Sequence, residues 1–280
     1  MKIAILSGKG GTGKTTLSVN LFSYLDKATL IDTDVEEPNS HLFLKGKLIK
    51  EKSVIKHYPK VNDDLCDYCG KCGDFCNFNA IIPTKKKVLV FHDLCHDCGG
   101  CSLVCPKNAI TYVDKEVGKE FHIQVSENKL FLYGNLTVGE VSGVRIIESL
   151  KETTKNEDLL LIDSPPGTSC STVAAIDGTD YCIICAEATP FGLSDMKMVV
   201  ELLRAEGRNF GVVVNKCNLG NDEIYHYLEE EKIELLEKIK FDREFASIMA
   251  DGELLINHSQ YFRDKMANIA RKVLGDKYDQ

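Results

Sequence analysis

The sequence predicts an α/β protein, built on a doubly wound and mostly parallel sheet into which a small α+β domain is inserted. Short apolar segments typical of strands alternate with helical stretches, which is the pattern of a parallel sheet covered on both faces. These segments lie at about 2–6, 28–32, 158–163, 181–186 and 210–215. The insertion is indicated by eight of the twelve cysteines, which all lie between the second and the third segment.

Composition limits the classes of function. The chain has 280 residues, of which 44% are hydrophobic and 27% are charged, so it can form one large domain and one small one. No apolar run approaches the roughly 20 residues that span a bilayer, so membrane association is not expected. The formal net charge of −8 argues against binding of nucleic acid. The cysteines and the lack of a signal peptide predict reduced thiols and a cytoplasmic location.

The first predicted strand leads into a glycine-rich segment that fits the pattern G-x-x-x-x-G-K-[ST] and precedes a predicted helix. Backbone N–H groups of such a loop surround the phosphates of a nucleotide, and the helix dipole adds positive potential. We expect Lys14 to reach the β- and γ-phosphates and the Thr15 hydroxyl to bind Mg²⁺. The predicted phosphate-binding residues are Gly8, Lys9, Gly10, Gly11, Thr12, Gly13, Lys14, Thr15 and Thr16.

Polar side chains follow three other predicted strands. The second strand ends in Asp32-Thr33-Asp34, and a later apolar strand ends in Asp163, which Ser-Pro-Pro-Gly follows. Carboxylates at strand ends that face a bound cation suit phosphoryl transfer, because its catalysis depends on positioning and charge neutralisation. The strand Gly211-Val-Val-Val-Asn215 ends in an asparagine. Asn215 is either a nucleotide contact or a plain strand-end asparagine.

The eight clustered cysteines form two runs with the same spacing, C-x2-C-x2-C-x3-C. This is the spacing of a bacterial two-cluster ferredoxin, in which the fourth cysteine of each run ligates the other cluster. We therefore predict two [4Fe–4S] clusters. The first ligand set is Cys66, Cys69, Cys72 and Cys105, and the second is Cys95, Cys98, Cys101 and Cys76.

The two cysteine runs also share their surroundings. Asn-Ala-Ile follows each run, at 79–81 and at 108–110, which indicates two copies of one half-module. Pro106 follows the second run, whereas Asn77 stands at that position after the first. Zinc sites and disulfides are the alternatives, but zinc sites usually use separated cysteine pairs and disulfides need an oxidising compartment.

The lysine at position 9 makes the glycine-rich segment GKGGTGKT. This segment resembles the deviant Walker A loop of the MinD, ParA and nitrogenase iron protein class. The resemblance implies that Lys9 contacts phosphate across a dimer interface, so the active form is a homodimer or a heterodimer with a related ATPase. A solvated lysine in a turn is the alternative.

The layout of the whole chain resembles the MinD/Mrp-superfamily P-loop ATPases that contain an inserted ferredoxin domain. By this resemblance, residues 1–58 and 117–280 form the ATPase domain and residues 59–116 form the ferredoxin domain. Asp34 orients or activates the attacking water, Asp32 lies near the Mg²⁺ shell, and Asp163 holds Mg²⁺ through water. Asn215 contacts adenine, so the expected nucleotide is ATP.

The expected function is that of an ATPase whose dimeric switch is coupled to electron transfer, with an unidentified redox protein as its partner. The alternatives are an ATPase that assembles or delivers Fe–S clusters to an apo-acceptor, and a nucleotide-gated positioning or scaffold protein. A carrier of the Mrp type has a Cys-x-x-Cys late in the chain, and no cysteine follows Cys217 here. Cys170, seven residues after Asp163, is expected to be a buried structural cysteine.

Overall fold

The computed structural model describes residues 1–275, in which nine strands form one sheet in the order β11-β10-β9-β1-β8-β2-β7-β6-β3. The strands are β1 (Lys2–Leu6), β2 (Ala28–Asp32), β3 (Lys47–Val61), β4 (Ile81–Pro83), β5 (Val88–Val90), β6 (Ile110–Ser126), β7 (Lys129–Leu136), β8 (Leu160–Asp163), β9 (Tyr181–Glu187), β10 (Phe210–Asn215) and β11 (Glu234–Lys238). Strands β4 and β5 form a separate two-stranded sheet.

Helices connect the strands and cover the large sheet. They are α1 (Lys14–Tyr24), α2 (Lys71–Phe75), α3 (Gly100–Leu103), α4 (Val144–Thr153), α5 (Cys170–Ile176), α6 (Pro190–Ala205), α7 (Glu223–Glu230), α8 (Arg243–Ala250), α9 (Leu255–His258) and α10 (Gln260–Leu274). Within residues 1–275, no helix is both long enough and apolar enough to cross a bilayer.

The mostly parallel sheet predicted from the sequence is confirmed. The first seven strands of the sheet order, from β11 to β7, pair in parallel. The last two are antiparallel, since β6 pairs antiparallel with β7 and β3 pairs antiparallel with β6. The sequence analysis did not predict β3, β6, β7 or β11. Strand β3 was missed because lysine, glutamate and histidine are scattered through it, and its first half is largely exposed at the edge of the sheet.

The core consists of two apolar layers, one on each face of the sheet. Alternation along β1 illustrates this, because Ile3 and Ile5 face one layer while Ala4 and Leu6 face the other. Helices α1, α9 and α10 cover the first layer, and α4 to α7 cover the second. In α10, the residues that pack onto the core are Phe262, Met266, Ile269 and Ala270.

Residues 62–109 form a small unit at the tip of the β3–β6 pair. The pair closes where Val61 is opposite Ile110, and the Asn62 N–H donates to the Ala109 carbonyl at 2.8 Å. The two connections to the unit therefore lie side by side. The predicted boundary at 58/59 falls where β3 pairs regularly with β6, whereas the boundary at 116/117 falls at a register shift that leaves Val117 without a partner in β3. The division into 1–58, 59–116 and 117–280 stays a prediction.

This small unit has an internal repeat with an offset of 29 positions, the separation of Cys66 and Cys95. Backbone conformations repeat at that offset: left-handed φ angles occur at Tyr68 and Asp97, and again at Asn79 and Asn108. The short helices α2 and α3 also follow matching glycines, at positions 70 and 99. The two halves thus share one local fold, as the repeated sequence indicates.

Candidate nucleotide site and cysteine sites

Lys14 lies at the first position of α1, directly after the glycine-rich loop. Its side chain is buried, and its Nζ lies 2.8 Å from Oδ1 of Asp163 at the end of β8. Burial acts to lower the pKa of Lys14, but the attraction of Asp163, Asp32 and Asp34 together with the hydrogen bond to Asp163 outweighs it, so the pKa lies above the ordinary lysine value. Lys14 therefore remains an ammonium ion in the interior of the loop.

Asp163 joins this lysine to two hydroxyl groups. Ser18 donates to its Oδ1 at 3.1 Å, and Ser40 donates to its Oδ2 at 3.2 Å. The Thr33 hydroxyl donates to the Asp163 backbone carbonyl at 2.8 Å, which fixes the end of β8 to the end of β2. Ser18 and Ser40 could not be predicted from the sequence, since a serine in a helix or a loop carries no local signal of such a contact.

Asp32 is fully buried at the end of β2 and organises the loop that follows it. Its carboxylate accepts N–H groups from Asp34, Asn39 and Ser40, at 3.0, 3.2 and 3.0 Å. Burial, together with the charge of Asp163, raises the pKa of Asp32 to about 7. Asp32 thus shapes the segment that carries Asp34.

Asp34 faces a cavity of about 440 Å³ that the glycine-rich loop also lines, with Lys14, Thr15 and Thr16 among its other residues. Burial raises the pKa of Asp34 to about 6, and Lys14 opposes that shift. The structure therefore brings these four polar residues, all predicted to bind or hydrolyse the nucleotide, together around one cavity. Asp32 and Asp163 lie buried below it.

Lys9 is not among the residues that line this cavity. Its Nζ lies 3.2 Å from Oε2 of Glu187 and 4.0 Å from Oδ2 of Asp195. Glu187 also accepts from Lys216 at 2.6 Å, and Lys216 Nζ donates to the Gly11 carbonyl at 2.9 Å. Glu187 and Lys216 could not be predicted from the sequence, because their association depends on neighbouring strands, β9 and β10, that end beside the loop.

Asn215, at the end of β10, holds the glycine-rich loop in place. Its Nδ2 donates to the Thr12 carbonyl at 2.7 Å, and a Cβ at Gly13 would lie 2.2 Å from the same nitrogen. Gly13 also has a φ of +96°, which strongly favours glycine. Asn215 also lines a separate cavity of about 180 Å³, together with residues between Ile239 and Phe245.

The eight clustered cysteines line two separate cavities. The first cavity, of about 20 Å³, contains in its lining Cys66, Cys69, Cys72 and Cys105. The second cavity, of about 220 Å³, contains in its lining Cys76, Cys95, Cys98 and Cys101. Each cavity thus has three cysteines from one run and the fourth from the other run, which is the crossed grouping expected from the spacing.

These cysteines neither pair with each other nor converge on one point. All twelve cysteines of the chain are free thiols. Within residues 1–275, no three Cys, His, Asp or Glu side chains lie close enough together to hold a single metal ion.

Backbone N–H groups donate to one sulfur at each site. The Ala80 N–H lies 3.3 Å from Cys76 Sγ, and the Ala109 N–H lies 3.4 Å from Cys105 Sγ. The Asn-Ala-Ile repeat places these two amides equivalently in the two halves of the unit. Such hydrogen bonds are among the factors that tune the reduction potential of an Fe–S cluster.

The remaining cysteines play no part in these cavities. Cys182 and Cys185 are buried in opposite layers of the core, and burial raises the pKa of Cys185 to about 12. The expectation that Cys170 is buried is wrong, since its side chain is exposed. Cys170 occupies the first position of α5, and the apolar contacts of that helix come from later residues, Ala175 and Ile176.

Comparison with known proteins identifies the family. Residues 3–256 match the family described as "CbiA: CobQ/CobB/MinD/ParA nucleotide binding domain". The chain belongs to this family. The expectation of a MinD/ParA-type P-loop protein is thereby confirmed at the level of the family.

Relatives of similar length occur in Methanocaldococcus jannaschii. The uncharacterized protein MJ0578 is 32% identical over 279 residues, covering 98% of this chain and 96% of that protein. The uncharacterized protein MJ0579 is 28% identical and covers 98% of each chain. The iron-sulfur cluster carrier protein of Pyrococcus abyssi is 35% identical over 77 residues, which cover 25% of this chain and 26% of that protein.

Solved structures share the fold of this family member. The septum site-determining protein MinD of Pyrococcus horikoshii, complexed with Mg-ADP, has a TM-score of 0.58 at 20% identity and covers 97% of this chain and 95% of its own. The ATP complex of a variant of McdA from Cyanothece has a TM-score of 0.54 at 17% identity, covering 98% and 96%. At these identities the similarity concerns the fold alone.

Proposed function

We propose that this CbiA-family protein is a Mg-ATP-hydrolysing switch that controls electron transfer through two [4Fe–4S] clusters. The observation that carries the proposal is the crossed grouping of eight cysteines around two cavities, in a chain that also has a nucleotide-binding loop. A chain with only one of these features would be interpreted as an ATPase or as a ferredoxin.

The nucleotide part of the proposal assigns a task to each residue of the loop cavity. Lys14 would leave Asp163 and bind the β- and γ-phosphates, and Asp163 with Thr15 would then hold Mg²⁺. Asp34, whose pKa is raised to about 6, would orient the attacking water and accept its proton near neutral pH. Fold similarity to proteins solved with Mg-ADP and with ATP supports adenine nucleotides as ligands.

The position of Lys9 supports a dimeric active form. Within one chain its ammonium group is directed to Glu187 and Asp195 instead of the phosphate cavity. Lys9 would therefore act on the nucleotide of a partner subunit after leaving Glu187, as the family resemblance implies. The partner is a second copy of this chain or a related ATPase.

The cysteine part of the proposal rests on the fit between ligand sets and clusters. Four thiolates hold one [4Fe–4S] cluster, each bound to a different iron, so the sulfurs should surround a volume as they do here. The first cavity is narrow, and its loop would have to widen at Cys69, which is exposed, to hold a cluster. When bound, each cluster would act as a one-electron carrier. Because all four ligands of each site come from one chain, the arrangement favours clusters that stay bound and transfer electrons over clusters that are delivered to another protein.

A continuous set of contacts supports coupling between the two parts. Val35 follows Asp34 and lies against Gly143, where an added Cβ would be only 2.3 Å from Val35 Cγ2. Gly143 caps the start of α4, whose Arg145 lies 4.0 Å from Oδ2 of Asp97. Asp97 lines the second cysteine cavity, so movement of the loop after β2 would be transmitted to that cavity through α4.

His57 adds a second contact to Asp97, beside that of Arg145. Its Nδ1 lies 3.2 Å from the Asp97 carboxylate, and it belongs to β3, which joins the cysteine unit to the sheet. Arg145 also donates to the Ile55 carbonyl at 3.4 Å. Asp97 is thus in contact with both α4 and β3.

The experiment that tests the proposal measures cluster content and ATP hydrolysis in one anaerobic preparation. We expect about eight iron atoms and eight sulfides per chain, four of each per cluster, and an ATP hydrolysis rate that differs between the oxidised and the dithionite-reduced protein. Lys14→Ala should abolish hydrolysis and leave the iron content unchanged. Fewer than four irons per chain, or identical rates in both redox states, would contradict the proposal.

Cluster delivery is the second candidate function. The short similarity to the iron-sulfur cluster carrier protein of Pyrococcus abyssi favours it, as does the exposure of Cys69 and Cys98. It predicts that clusters leave this protein and activate an apo-acceptor faster when Mg-ATP is present. Clusters that stay bound during incubation with an apo-ferredoxin would leave electron transfer as the function.

A further inference from the structure

The internal repeat allows the two cysteine sites to be compared position by position. At the 29-residue offset, the N–H···S contacts of Ala80 and Ala109 match each other within 0.1 Å, at 3.3 and 3.4 Å. The linings differ at several positions, such as Tyr68 and Asp97, and at one of them Tyr112 of the second cavity corresponds to Pro83 of the first. The two sites thus differ in a group that can donate a hydrogen bond.

Tyr112 extends from β6 into the second cavity, with its hydroxyl beside a ligand of that site. The oxygen lies 3.3 Å from Cys101 Sγ, 2.9 Å from the Gly99 carbonyl and 3.2 Å from Ser102 Oγ. Pro83 has no hydrogen-bond donor, because its ring lacks an N–H. A Cβ at Gly73 would lie 2.4 Å from the Pro83 ring, so Pro83 is a packing residue.

Hydrogen bonding to a ligand sulfur has a definite electrostatic consequence. A cysteine that ligates iron carries no proton, so between these two groups only the Tyr112 hydroxyl can donate. Its single proton has the Gly99 carbonyl, at 2.9 Å, as a competing acceptor, and negative charge on the ligand sulfur favours donation to Cys101. Each added electron increases the negative charge on the sulfur, and a hydrogen bond to a charged acceptor is stronger than one to a less charged acceptor. The contact therefore stabilises the reduced state and raises the reduction potential of that site.

We propose that Tyr112 sets the reduction potential of the site formed by Cys95, Cys98, Cys101 and Cys76, and makes it electrically distinct from the other site. This inference rests on the proposed function, because it requires both sites to hold clusters. Tyr112 does not belong to the proposed ATP site, and the spacing of the cysteines does not indicate a role for it.

The location of the second site gives this difference a consequence. Its lining includes Pro59 and Tyr112, which pair across β3 and β6, whereas the first cavity is lined by Val61 and Ile110 at the tip of that pair. The second site is therefore the inner one, nearer the sheet and the Asp97 junction. Tyr112 biases an electron held by the unit toward the site next to the ATPase core.

Tyr112→Phe tests the inference, with Tyr68→Phe as the matched control. Tyr68 lines the first cavity and its hydroxyl interacts with Asp63, so its removal takes one tyrosine hydroxyl from the other half of the repeat. Redox titrations of the reconstituted protein, followed by EPR with dithionite as electron donor, give two midpoint potentials. We expect Tyr112→Phe to lower one potential and leave the other in place, and Tyr68→Phe to change neither.

A second readout separates the hydrogen bond from packing. Resonance Raman spectra in H₂O and D₂O should show a solvent-isotope shift of an Fe–S(Cys) stretch that Tyr112→Phe removes and Tyr68→Phe retains. Unchanged potentials and isotope shifts in Tyr112→Phe, at full iron content, would overturn the inference and leave the proposed function standing. A wild-type protein without clusters would instead overturn the proposed function, and the inference with it.

Discussion

At the residue scale, the central feature of the nucleotide site is the buried pair of Lys14 and Asp163. Removing one member of a buried ion pair leaves an uncompensated charge, which costs about 3–5 kcal/mol. We predict that Lys14→Met lowers the free energy of unfolding of the nucleotide-free protein by about 3 kcal/mol. The double variant Lys14→Met/Asp163→Asn should recover most of that loss in urea denaturation followed by circular dichroism.

That comparison separates charge from packing, because both variants lack the lysine ammonium group and only one keeps the buried carboxylate. Equal stability of the single and double variants would mean that Asp163 is compensated by its serine partners alone. The wild-type contacts from Ser18 and Ser40 are the groups that would provide such compensation.

Asp34 gives a prediction in which activity and stability change in opposite directions. Its pKa is raised from 3.8 to about 6, mainly by burial, so the folded protein binds a proton that the unfolded chain has lost in that pH range. The contribution of Asp34 to stability therefore falls as pH rises from about 4 to 6. Asp34→Asn should increase stability at pH 8 and lower ATP hydrolysis by about 10²-fold.

The same variant should lose its stability advantage near pH 3.5, where the wild-type carboxyl is protonated in both states. Thermal unfolding of the two proteins across this pH range checks the expectation. A variant that is less stable than wild type at pH 8 would show that Asp34 contributes a favourable interaction as a carboxylate.

At the element scale, the shape of the glycine-rich loop depends on the strand end beside it. Gly13→Ala would place a Cβ 2.2 Å from Asn215 Nδ2 at a φ of +96°, so both strain and a lost hydrogen bond are expected. We predict a loss of about 1–3 kcal/mol in the nucleotide-free protein. Gly10→Ala is the matched control, since nothing lies within 4 Å of its added Cβ, and its effect should stay within about 0.5 kcal/mol.

Helix α4 is the element that joins the two proposed functions. Arg145→Gln removes the charge facing Asp97 while leaving the helix and the nucleotide site intact. We expect the variant to hydrolyse ATP at the wild-type rate but to lose any effect of Mg-ATP on the reduction potentials. Arg204→Gln, which breaks an exposed pair between α6 and Glu231 just after α7, should keep that effect. A retained effect in Arg145→Gln would exclude the α4 route.

Local motifs explain which elements could be predicted from the sequence. The glycine-rich loop and the two cysteine runs have fixed spacing, so their residues could be grouped before any tertiary contact was known. Strands β3 and β6 could not, because charged residues break the apolar pattern in a pair that lies at the sheet edge. Tertiary contacts also decide the partners of Lys9, because Glu187 lies 178 positions away along the chain.

At the scale of the whole molecule, the chain combines a CbiA-family nucleotide site with a cysteine unit mounted on two long strands. The crossed ligand sets predict that paired substitutions act on the same site. Cys66→Ser and Cys105→Ser should alter one EPR signal, while Cys76→Ser should alter the other. Cys217→Ser, outside the unit, should change neither. If Cys76→Ser altered the same EPR signal as Cys66→Ser, the crossed assignment of the ligands would be contradicted.

The central claim is that nucleotide state and cluster potential are linked. The most direct test is an anaerobic redox titration of the reconstituted wild-type protein, with and without Mg-ATP or a non-hydrolysable analogue. Our account predicts that the nucleotide shifts at least one midpoint potential, with the larger shift at the site that Tyr112→Phe also affects. Two potentials that stay the same while the nucleotide is bound would contradict it.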